Sequence, residues 1–541
     1  MNLVRLLKED AGAAVRSILW LALISGIANG VLLAIINSAA ANTNSASPNI
    51  PQLAMFAIAI TLFIYTKRLS LMRSTVMAES VITRFRLRIG DKYRKSELEL
   101  AEKIDKSVIE SRLSQDTLML SQAAGEIINA VQSAVMVTVC ILYLAMLSVS
   151  AFVATLLMIA AGVSIYLANQ KKLMAELHRS TQKEVEFFNT LNHLVSGFKE
   201  LKMNRAKSDD LYENTYRDIS VSAEALKVKT GGEFIKNYIF SQTFFYVLIG
   251  VLVFLLPTMS PTYGDVLTKT TAVILFIIGP LTSMVGTIPI YSKANVAVDN
   301  LYQFEHFLDS HLNGGVTVSP LRFEDFKKIE LEKVHFAYAN SASATGFAVG
   351  PFDFEVQRGE TVFIVGGNGS GKSTLMKLLV ALYRPAAGGI TVDGLRLQKQ
   401  HYAHYRELFS IIFTDFHLFE RLYGVQHVDE RHVLRLLKEM QLDDKTGFEN
   451  GRFTNLNLST GQKKRLALII AMLDDRPILA LDEFAADQDP SFRAYFYETI
   501  LQELKARGKT VIAITHDDKY FGFADRVVKM EDGKIEPYHQ P

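Results

Sequence analysis

TVFIVGGNGSGKST, residues 361–374, is the stretch that decides the fold of one half of this chain. An apolar, β-rich run enters a glycine-rich loop, and a helical pattern, TLMKLLVALY, follows at once. The spacing Gly366-x-x-x-x-Gly371-Lys372-Ser373 is the P-loop pattern. Its glycines let successive backbone N–H groups turn inward around phosphate oxygens, and the helix N-terminus adds partial positive charge. The stretch therefore predicts a strand, a phosphate-binding loop and a helix.

The loop residues predict ATP and Mg²⁺ as ligands. Lys372 is expected to reach the β- and γ-phosphates, and the Ser373 hydroxyl to bind Mg²⁺. The predicted ATP contacts of this loop are Gly366, Gly367, Asn368, Gly369, Ser370, Gly371, Lys372, Ser373 and Thr374.

A second strand ends in two acids, in the run PILALDEF. Asp482 is expected to hold Mg²⁺, and Glu483 to orient or deprotonate the water that attacks ATP. Two acids at the end of a strand also occur simply because they face water. The P-loop upstream makes a hydrolytic site the better interpretation.

A helix start lies between these motifs, at Leu458-Ser459-Thr460-Gly461-Gln462 before KKRLALIIAML. Ser459 occupies the expected N-cap position, and small residues leave backbone N–H groups open. The pentapeptide predicts a second anion-binding helix start, although alone it also fits an ordinary cap.

The first 300 residues contain long apolar runs, and hydrophobic residues make up 49% of the chain. A bilayer-spanning helix needs about 20 apolar residues. Number, length and one-sided basic flanks favour membrane spans over core helices of a large soluble protein. Lys and Arg nearly balance Asp and Glu, which gives no indication of nucleic-acid binding. Six spans are predicted, at about 15–38, 51–67, 123–147, 151–168, 237–257 and 266–290.

The loops predict the orientation of these spans, because basic residues stay on the cytoplasmic side. Three segments contain no Lys or Arg: 39–52, 148–150 and 257–265. The segments 68–122 and 169–236 are long and basic. Both termini and everything after residue 300 are therefore predicted to be cytoplasmic. The basic segments are expected to continue as helices into the cytosol, with short docking elements near 97–110 and 197–212.

The composition changes around residues 300–330. Gly314-Gly315 and Pro320 indicate a linker. Short β-rich runs then alternate with helical patterns, which predicts a mostly parallel α/β domain. The predicted organisation is a transmembrane domain over 1–305, a linker over 306–328 and an ATP-binding domain over 329–541.

Six spans, a P-loop, LSTGQ and an acidic strand end together resemble an ATP-binding cassette (ABC) exporter half-transporter. The resemblance implies an all-α transmembrane domain fused to an α/β P-loop domain. It implies that Tyr338 stacks on adenine, that His516 contacts the γ-phosphate, and that Asp489 lies in the loop between two cassettes. Ser459, Gly461 and Gln462 match the signature that reaches the ATP of a second cassette. A homodimer in a lipid bilayer, working by alternating access, follows from this resemblance.

Four stretches narrow the resemblance: FTDFHLF, LSTGQKKRLAL, LDEFAADQDP and HDDKYF. They resemble the bacterial cyclic-peptide exporter group, which includes exporters of the pyoverdine siderophore precursor, of a lasso-peptide microcin and of syringomycin-type lipopeptides. This implies peptide export across a bacterial inner membrane. Many exporters have Gln where this chain has Thr414. Thr414 is therefore expected to act through a water, with Asp415 contributing to coupling.

Other interpretations remain open at this point. The same machinery fits a lipid or multidrug exporter, and an ATP-gated channel or regulator is an alternative of a different class. Five polar residues lie in or near the spans, where they indicate cargo contacts, helix–helix hydrogen bonds or solvation at the membrane interface: Asn29, Glu126, Asn129, Gln132 and Gln242.

Overall fold

The contacts of the chain divide it into two units. The computed structural model describes residues 2–41, 50–104, 106–259, 266–311, 323, 325–338, 347–425 and 428–537. One unit, the helical unit, comprises Met1–Arg94 and Asp105–Phe307, and the other, the sheet unit, comprises Lys95–Ile104 and Leu308–Pro541. The predicted linker features at Gly314, Gly315 and Pro320 lie outside the described residues, as do parts of the predicted loops 39–52 and 257–265.

The described part of the first 311 residues is helical almost throughout. Single π-helical turns at Arg112–Asp116, Leu211–Tyr216 and Val251–Leu255 join some of the helices end to end. The helices are α1 (Asn2–Ala41), α2 (Ile50–Arg94), α3 (Leu98–Lys103), α4 (Lys106–Ser111), α5 (Thr117–Leu147), α6 (Val149–Ser196), α7 (Phe198–Met203), α8 (Arg205–Asp210), α9 (Arg217–Gly250), α10 (Leu256–Met259) and α11 (Leu267–His311).

Five helical stretches of the described residues are long and apolar enough to cross a membrane: Ala14–Ala40, Ile50–Arg94, Val108–Leu147, Arg205–Leu255 and Leu267–Ser310. The fourth predicted span corresponds to a shorter apolar stretch, Val149–Ile165, at the start of α6. The 45 residues of α2 measure about 68 Å at 1.5 Å per residue. A hydrocarbon core is only about 30 Å thick, so α2 has length to extend well beyond it.

The turn between α5 and α6 is tighter than the predicted loop 148–150. Ser148 alone separates the helices, in an extended conformation with φ −160° and ψ 117°. Its hydroxyl accepts a hydrogen bond from the Ala151 backbone N–H at 3.3 Å. The serine thus ends one helix and caps the next.

Two glycines bring α1 against α5. A Cβ at Gly26 would lie 2.7 Å from the Val135 Cβ, and one at Gly30 would lie 2.6 Å from the Val139 Cγ1. Glycines four residues apart on one helix face allow this close backbone approach in membrane helices. The contact fixes which side chains of α1 face α5.

The sheet unit contains a four-stranded sheet, a six-stranded sheet and a two-stranded hairpin. The strands are β1 (Lys328–Ala337), β2 (Ala348–Gln357), β3 (Thr361–Val365), β4 (Ala387–Val392), β5 (Leu395–Arg396), β6 (Phe409–Ile412), β7 (Phe448–Glu449), β8 (Arg452–Phe453), β9 (Ile478–Asp482), β10 (Thr510–Ile514), β11 (Arg526–Glu531) and β12 (Lys534–Pro537). The helices are α12 (Lys372–Leu379), α13 (Tyr402–Arg406), α14 (Glu430–Glu439), α15 (Thr460–Asp474), α16 (Pro490–Tyr495) and α17 (Leu501–Ala506).

The six-stranded sheet has the order β12-β11-β3-β10-β9-β6. Its strands pair in parallel, except for the antiparallel edge strand β12. β3, β9 and β10 are buried along their whole length, as strands of a covered parallel sheet are. The parallel prediction therefore holds for this sheet.

The four-stranded sheet, in the order β2-β1-β4-β5, is antiparallel. The prediction of a mostly parallel domain is wrong here. The physical reason is visible in β2, where buried Phe352, Phe354 and Val356 alternate with exposed neighbours. Such alternation is typical of an antiparallel sheet with one face toward solvent.

Parallel strands bring four segments to one edge of the six-stranded sheet. Ile514 pairs with both Ile364 and Asp482, and Ile412 pairs with Leu481. The carboxyl ends of β3, β10, β9 and β6 therefore lie side by side. We call this the sheet edge, and ligands of open α/β sheets bind at such edges.

Candidate functional site

The P-loop residues form the connection between β3 and α12 at the sheet edge. Gly366, Gly369 and Gly371 all have positive φ, at 147°, 79° and 101°. A Cβ at Gly366 would lie 2.1 Å from the Met530 carbonyl oxygen. Only glycine fits there, because both the backbone conformation and the space exclude a side chain. The loop thus has the phosphate-cradling form that its sequence predicts.

Lys372 folds back over this loop. Its Nζ donates to the carbonyl oxygens of Gly366 and Gly367, both at 2.9 Å. Burial lowers the pKa of Lys372, and the nearby carboxylates of Glu483 and Asp482 oppose that shift. A buried cation that donates to neutral carbonyls is poised to exchange them for phosphate oxygens.

Ser373 and Asp482 face each other across the end of β9. The Ser373 Oγ donates to the Asp482 Oδ1 at 3.4 Å. Burial is the largest cause of the raised pKa of Asp482, and the Ser373 hydrogen bond opposes it. Two oxygen ligands thus converge beside the P-loop, the donor type that Mg²⁺ prefers.

Glu483 follows in the left-handed conformation, with φ 51°. Such a conformation is uncommon for a residue other than glycine and is found at functional sites. The Glu483 Oε1 lies 3.4 Å from the Nε2 of His516. The structure therefore brings together the two residues predicted to be catalytic.

Lys464 supports Glu483 from behind and was missed by sequence reasoning. This almost fully buried side chain donates to the Glu483 backbone carbonyl at 2.6 Å and pairs with the Asp487 Oδ2 at 2.6 Å. A buried charge must be paired, and here the pairing holds the Glu483 backbone in place. A basic residue at an inward position of α15 was the available signal.

The segment that follows β10 and carries His516 is also held by a network that was not predicted. Asp517 accepts a hydrogen bond from Arg493 at 3.1 Å and another from the Tyr497 hydroxyl at 3.1 Å. The Tyr497 hydroxyl also lies 2.7 Å from the Thr515 Oγ1. The residues on both sides of His516 are thus held in place.

Tyr338 lies beside the P-loop helix. Its hydroxyl is 2.8 Å from the Thr374 Oγ1, and its ring packs edge-on against Phe336 and Tyr383. The residue as a whole remains 37% exposed, so it is open to a planar ligand.

Ser459 caps α15 as predicted. Its Oγ accepts from the Gln462 N–H at 3.4 Å, and its own N–H donates to the Gln462 Oε1 at 3.0 Å. This capping box satisfies two of the N–H groups at the helix start. Gly461 is required here, because a Cβ would lie 2.5 Å from the Asp487 carbonyl oxygen.

Asp489 caps α16, and its side chain accepts a hydrogen bond from the Phe492 N–H at 3.0 Å. The Ser491 hydroxyl is the largest cause of the lowered pKa of Asp489, about 2, with Phe492 and Arg465 adding to it. Arg465 also donates to the Gln488 Oε1 at 2.8 Å. Asp489 is thereby tied to the helix that Ser459 begins.

Thr414 and Asp415 lie at the sheet edge, after β6 and next to the strand that carries Asp482. Both side chains are exposed. The structure therefore brings them to the predicted side of the site, with room for a water or a partner.

Comparison with known proteins agrees with this geometry. Residues 349–486 match the family described as ABC transporter. The chain is 38% identical over 406 residues to the ATP-binding protein SyrD of Pseudomonas syringae pv. syringae, an alignment that covers 73% of this chain and 72% of SyrD. The chain belongs to the ABC transporter family. It hydrolyses ATP to drive transport, and its ATP-binding half is the cytoplasmic part of a membrane-embedded protein.

Two further similarities bear on the type of ABC transporter. The chain is 32% identical over 220 residues to the ATP-dependent lipid A-core flippase of Saccharophagus degradans, covering 38% of this chain and 36% of the flippase. The structure resembles that of a bacterial Atm1-family ABC exporter with ATP bound, with a TM-score of 0.78, 17% identity and coverage of 97% and 95% of the two chains. The fold is thus that of an ABC exporter.

A short acidic helix, α3, belongs to the sheet unit. Glu97, just before α3, forms ion pairs with Arg384 and Arg406. Arg406 also donates to the Ala381 carbonyl oxygen through its Nε, at 3.0 Å. We call Glu97, Arg384 and Arg406 the arginine clamp, and it fixes one end of α3.

The other end of α3 connects to the aromatic residues beside Tyr338. Glu102 accepts hydrogen bonds from the Lys377 Nζ, at 2.8 Å, and from the Tyr383 hydroxyl, at 2.5 Å. The Tyr383 ring stacks on Phe336, with centroids 4.8 Å apart. A chain of direct contacts therefore runs from α3 to the side of Tyr338.

Proposed function

We propose that two copies of this chain form an ATP-driven exporter that moves a peptide or a peptide-siderophore precursor across the bacterial inner membrane. The observation that carries the proposal is the convergence of Lys372, Ser373, Asp482, Glu483 and His516 at the sheet edge. It supports a turnover site over an ATP-gated channel or regulator, because a site that only senses ATP needs no paired base and histidine.

The geometry supports a role for each residue. Lys372 binds the β- and γ-phosphates once it leaves the loop carbonyls, and Tyr338 stacks on adenine. Ser373 and Asp482 fit Mg²⁺, which would supply positive charge next to the phosphates. Glu483 accepts the proton of the attacking water. His516 contacts the γ-phosphate and orients the Glu483 carboxylate.

The homodimer follows from the number of motifs. The described residues contain one P-loop and one LSTGQ helix start, whereas the ABC arrangement pairs the P-loop of one chain with the signature of the other. The capping box leaves the backbone N–H groups of Thr460 and Gly461 without a hydrogen-bond partner among the described residues. They face a second chain's ATP in this proposal, together with Ser459 and Gln462.

We also propose the membrane arrangement of the chain. The sixth span is the stretch Val149–Ile165, extended into the following turns of α6. Six spans place both termini on the cytoplasmic side, in agreement with the basic segments 68–122 and 169–236.

Support for a peptide cargo comes from the four stretches that resemble the cyclic-peptide exporter group. The similarity to SyrD extends over 406 residues, too many for the sheet unit alone. It therefore includes part of the helical unit, where an exporter meets its cargo.

A lipid exporter is the second candidate, favoured by the similarity to the lipid A-core flippase. That alignment covers only 38% of this chain. It is short enough to be accounted for by ATP-binding machinery, which exporters of different cargoes share. We therefore consider a lipid cargo to be less well supported than a peptide cargo.

The test is transport into inside-out membrane vesicles. A labelled cyclic peptide should accumulate with ATP and Mg²⁺ and stay outside without ATP, and Glu483→Gln vesicles should not accumulate it. Accumulation without ATP would refute the pump. ATP-dependent movement of a fluorescent lipid A analogue, with no movement of any peptide tested, would identify a lipid as the cargo in place of a peptide.

A further inference from the structure

The helical unit contains an open cavity of about 330 Å³ lined by four helices. Its polar wall residues come from α1, α2, α5 and α11, and several belong to the set whose role the sequence left open. We call the cavity the polar chamber, lined among others by Ser25, Asn29, Lys67, Asn129, Gln132 and Ser133. Its volume lies at the lower end of the range of about 300–1,000 Å³ typical of ligand pockets.

Two chamber side chains are buried without a hydrogen-bond partner among the described residues. They are the Nε2 of Gln132, in a side chain that is 7% exposed, and the Oγ of Ser25, in one that is fully buried. Asn29 makes only a weak contact, from its Nδ2 to the Met136 Sδ at 2.9 Å. Buried polar groups are nearly always hydrogen-bonded in native proteins. These groups therefore indicate a ligand that supplies the missing hydrogen-bond partners.

The unpaired groups are held by rigid packing. Gly26 lies next to Ser25, and a Cβ there would lie 2.9 Å from the Gln132 carbonyl oxygen. The close approach of α1 and α5 therefore sets Ser25 beside Gln132. A donor fixed before binding loses little conformational entropy when the ligand arrives.

The charged and polar groups that line the polar chamber indicate which kind of ligand it can bind. Lys67 is the single ionisable side chain in the described lining, which contains no Asp or Glu. Its Nζ lies 5.4 Å from the centre of the Phe63 ring, a weak contact for an ammonium group. Amide N–H, hydroxyl and ammonium groups together favour a ligand rich in hydrogen-bond acceptors, neutral or negatively charged.

The opposite face of α5 is different. Ile127, Ala130, Val131 and Ala134 line a second cavity, of about 480 Å³, whose walls are almost entirely apolar. The amides of α5 therefore gather on the chamber side alone, and the chamber is where a polar part of the cargo can be recognised.

We infer that the polar chamber binds the acceptor-rich part of the exported peptide. Gln132 and Ser25 donate to backbone carbonyl oxygens, and Lys67 binds a carboxylate of the cargo. This inference rests on the proposed peptide export and adds the site that recognises the cargo. The volume accommodates a segment of a peptide, and the remainder of the cargo lies outside the chamber.

The test uses two probes that differ only at one carboxylate. They are a dansylated cyclic octapeptide with a single Glu side chain and the methyl ester of the same peptide. Binding to the full-length dimer in nanodiscs is measured by fluorescence. Gln132→Leu should weaken both probes by at least about tenfold, because a lost donor leaves a buried acceptor unpaired. Lys67→Met should weaken the acid by about tenfold and leave the ester within about twofold.

Gln242→Leu is the matched control, because it makes the same change on α9 outside both cavities. It should bind both probes as the unaltered protein does. The ratio of acid to ester affinity in Lys67→Met does not depend on the folded fraction, so poor folding cannot imitate the result.

Three outcomes overturn the inference, and they separate it from the proposed function. If vesicles take up the peptides while Gln132→Leu and Lys67→Met bind like Gln242→Leu, the chamber is not the cargo site but peptide export stands. If both variants lose affinity for dihexanoylphosphatidylglycerol and keep it for both peptides, the occupant is a lipid headgroup. If the unaltered protein neither binds nor transports any peptide, both the export proposal and the inference fall.

Discussion

The sheet edge and the polar chamber are both assembled from four segments of the chain, yet they differ in how their polar groups are satisfied. At the sheet edge, Lys372 and Asp482 have partners within the protein. In the polar chamber, the Nε2 of Gln132 and the Oγ of Ser25 have none among the described residues.

The difference follows from what each site has to recognise. Triphosphate geometry does not vary, so backbone conformation and internal hydrogen bonds can organise the sheet edge before ATP arrives. A cargo differs from exporter to exporter, and single side chains on separate helices can change without disturbing the fold. Variants at the sheet edge should therefore affect every activity, whereas variants of the helical unit should affect stability or the response to cargo.

The largest expected effect is that of Glu483→Gln. Removing the base should lower the ATP turnover rate by at least about 100-fold while ATP still binds, which traps a closed dimer. Phosphate release and ATP binding are measured on the same preparation. Glu498→Gln, an exposed position away from the site, is the control. Unchanged turnover in Glu483→Gln would show that another group is the base.

Lys372→Ala should weaken ATP binding by about tenfold or more, since a charge-assisted contact to the phosphates is lost. Titration with a fluorescent ATP analogue measures the dissociation constant. Lys529→Ala removes a half-buried lysine of β11, which pairs with Glu531, and should leave the constant unchanged. Equal affinities in the two variants would contradict the phosphate role.

Gly26→Ala tests the wall of the polar chamber. The added Cβ would lie 2.7 Å from the Val135 Cβ, and overpacking of this kind destabilises by about 1–3 kcal/mol. A lower melting temperature in detergent is expected. Gly125→Ala, where a Cβ meets nothing within 4 Å, should melt at the same temperature or higher. A stable Gly26→Ala would mean that α1 and α5 are not in close contact.

Glu97→Gln should reduce the stimulation of ATP hydrolysis by cargo. It weakens the arginine clamp, a partly exposed ion pair whose loss we expect to change the response about two- to fivefold. Glu99→Gln, on the same helix and paired with Lys103, is the control. The clamp has no coupling role if the two variants respond alike.

The smallest expected effect is that of Asp415→Asn. An exposed charge contributes little, so we expect about a twofold loss of cargo-stimulated ATP hydrolysis and of transport. Asp443→Asn, also exposed, should show no change. If both activities of Asp415→Asn match those of Asp443→Asn, Asp415 does not contribute to coupling.

Local sequence sufficed to predict the phosphate loop and its place in the fold. Gly366 and Gly371 are dictated by backbone conformation, and the strand and helix around them follow from neighbouring residues. The antiparallel pairing of β1 with β4 could not be predicted in this way, because it joins segments that lie apart in sequence. It also depends on which face of each strand is covered.

The supporting contacts were harder to predict than the motifs. The inward position of Lys464 on α15 indicates a buried lysine, but its contact with Glu483 is known only once the helix is packed. Glu97 is similarly uninformative until its two arginines, far away in sequence, are placed beside it. Gln132 was recognised as a candidate, but only the helix packing shows that its Nε2 has no hydrogen-bond partner in the described part of the chain.

The unbroken length of α2 has a mechanical consequence. Lys67 in the polar chamber and Arg94, the last residue of α2 before Lys95, lie on one helix, about 40 Å apart at 1.5 Å per residue. A rod of this length works as a lever, so a tilt of about 3° at one end displaces the other by about 2 Å. If the proposed cargo site is correct, a small tilt of α2 at Lys67 would therefore shift Arg94, the last residue of the helix, by about 2 Å.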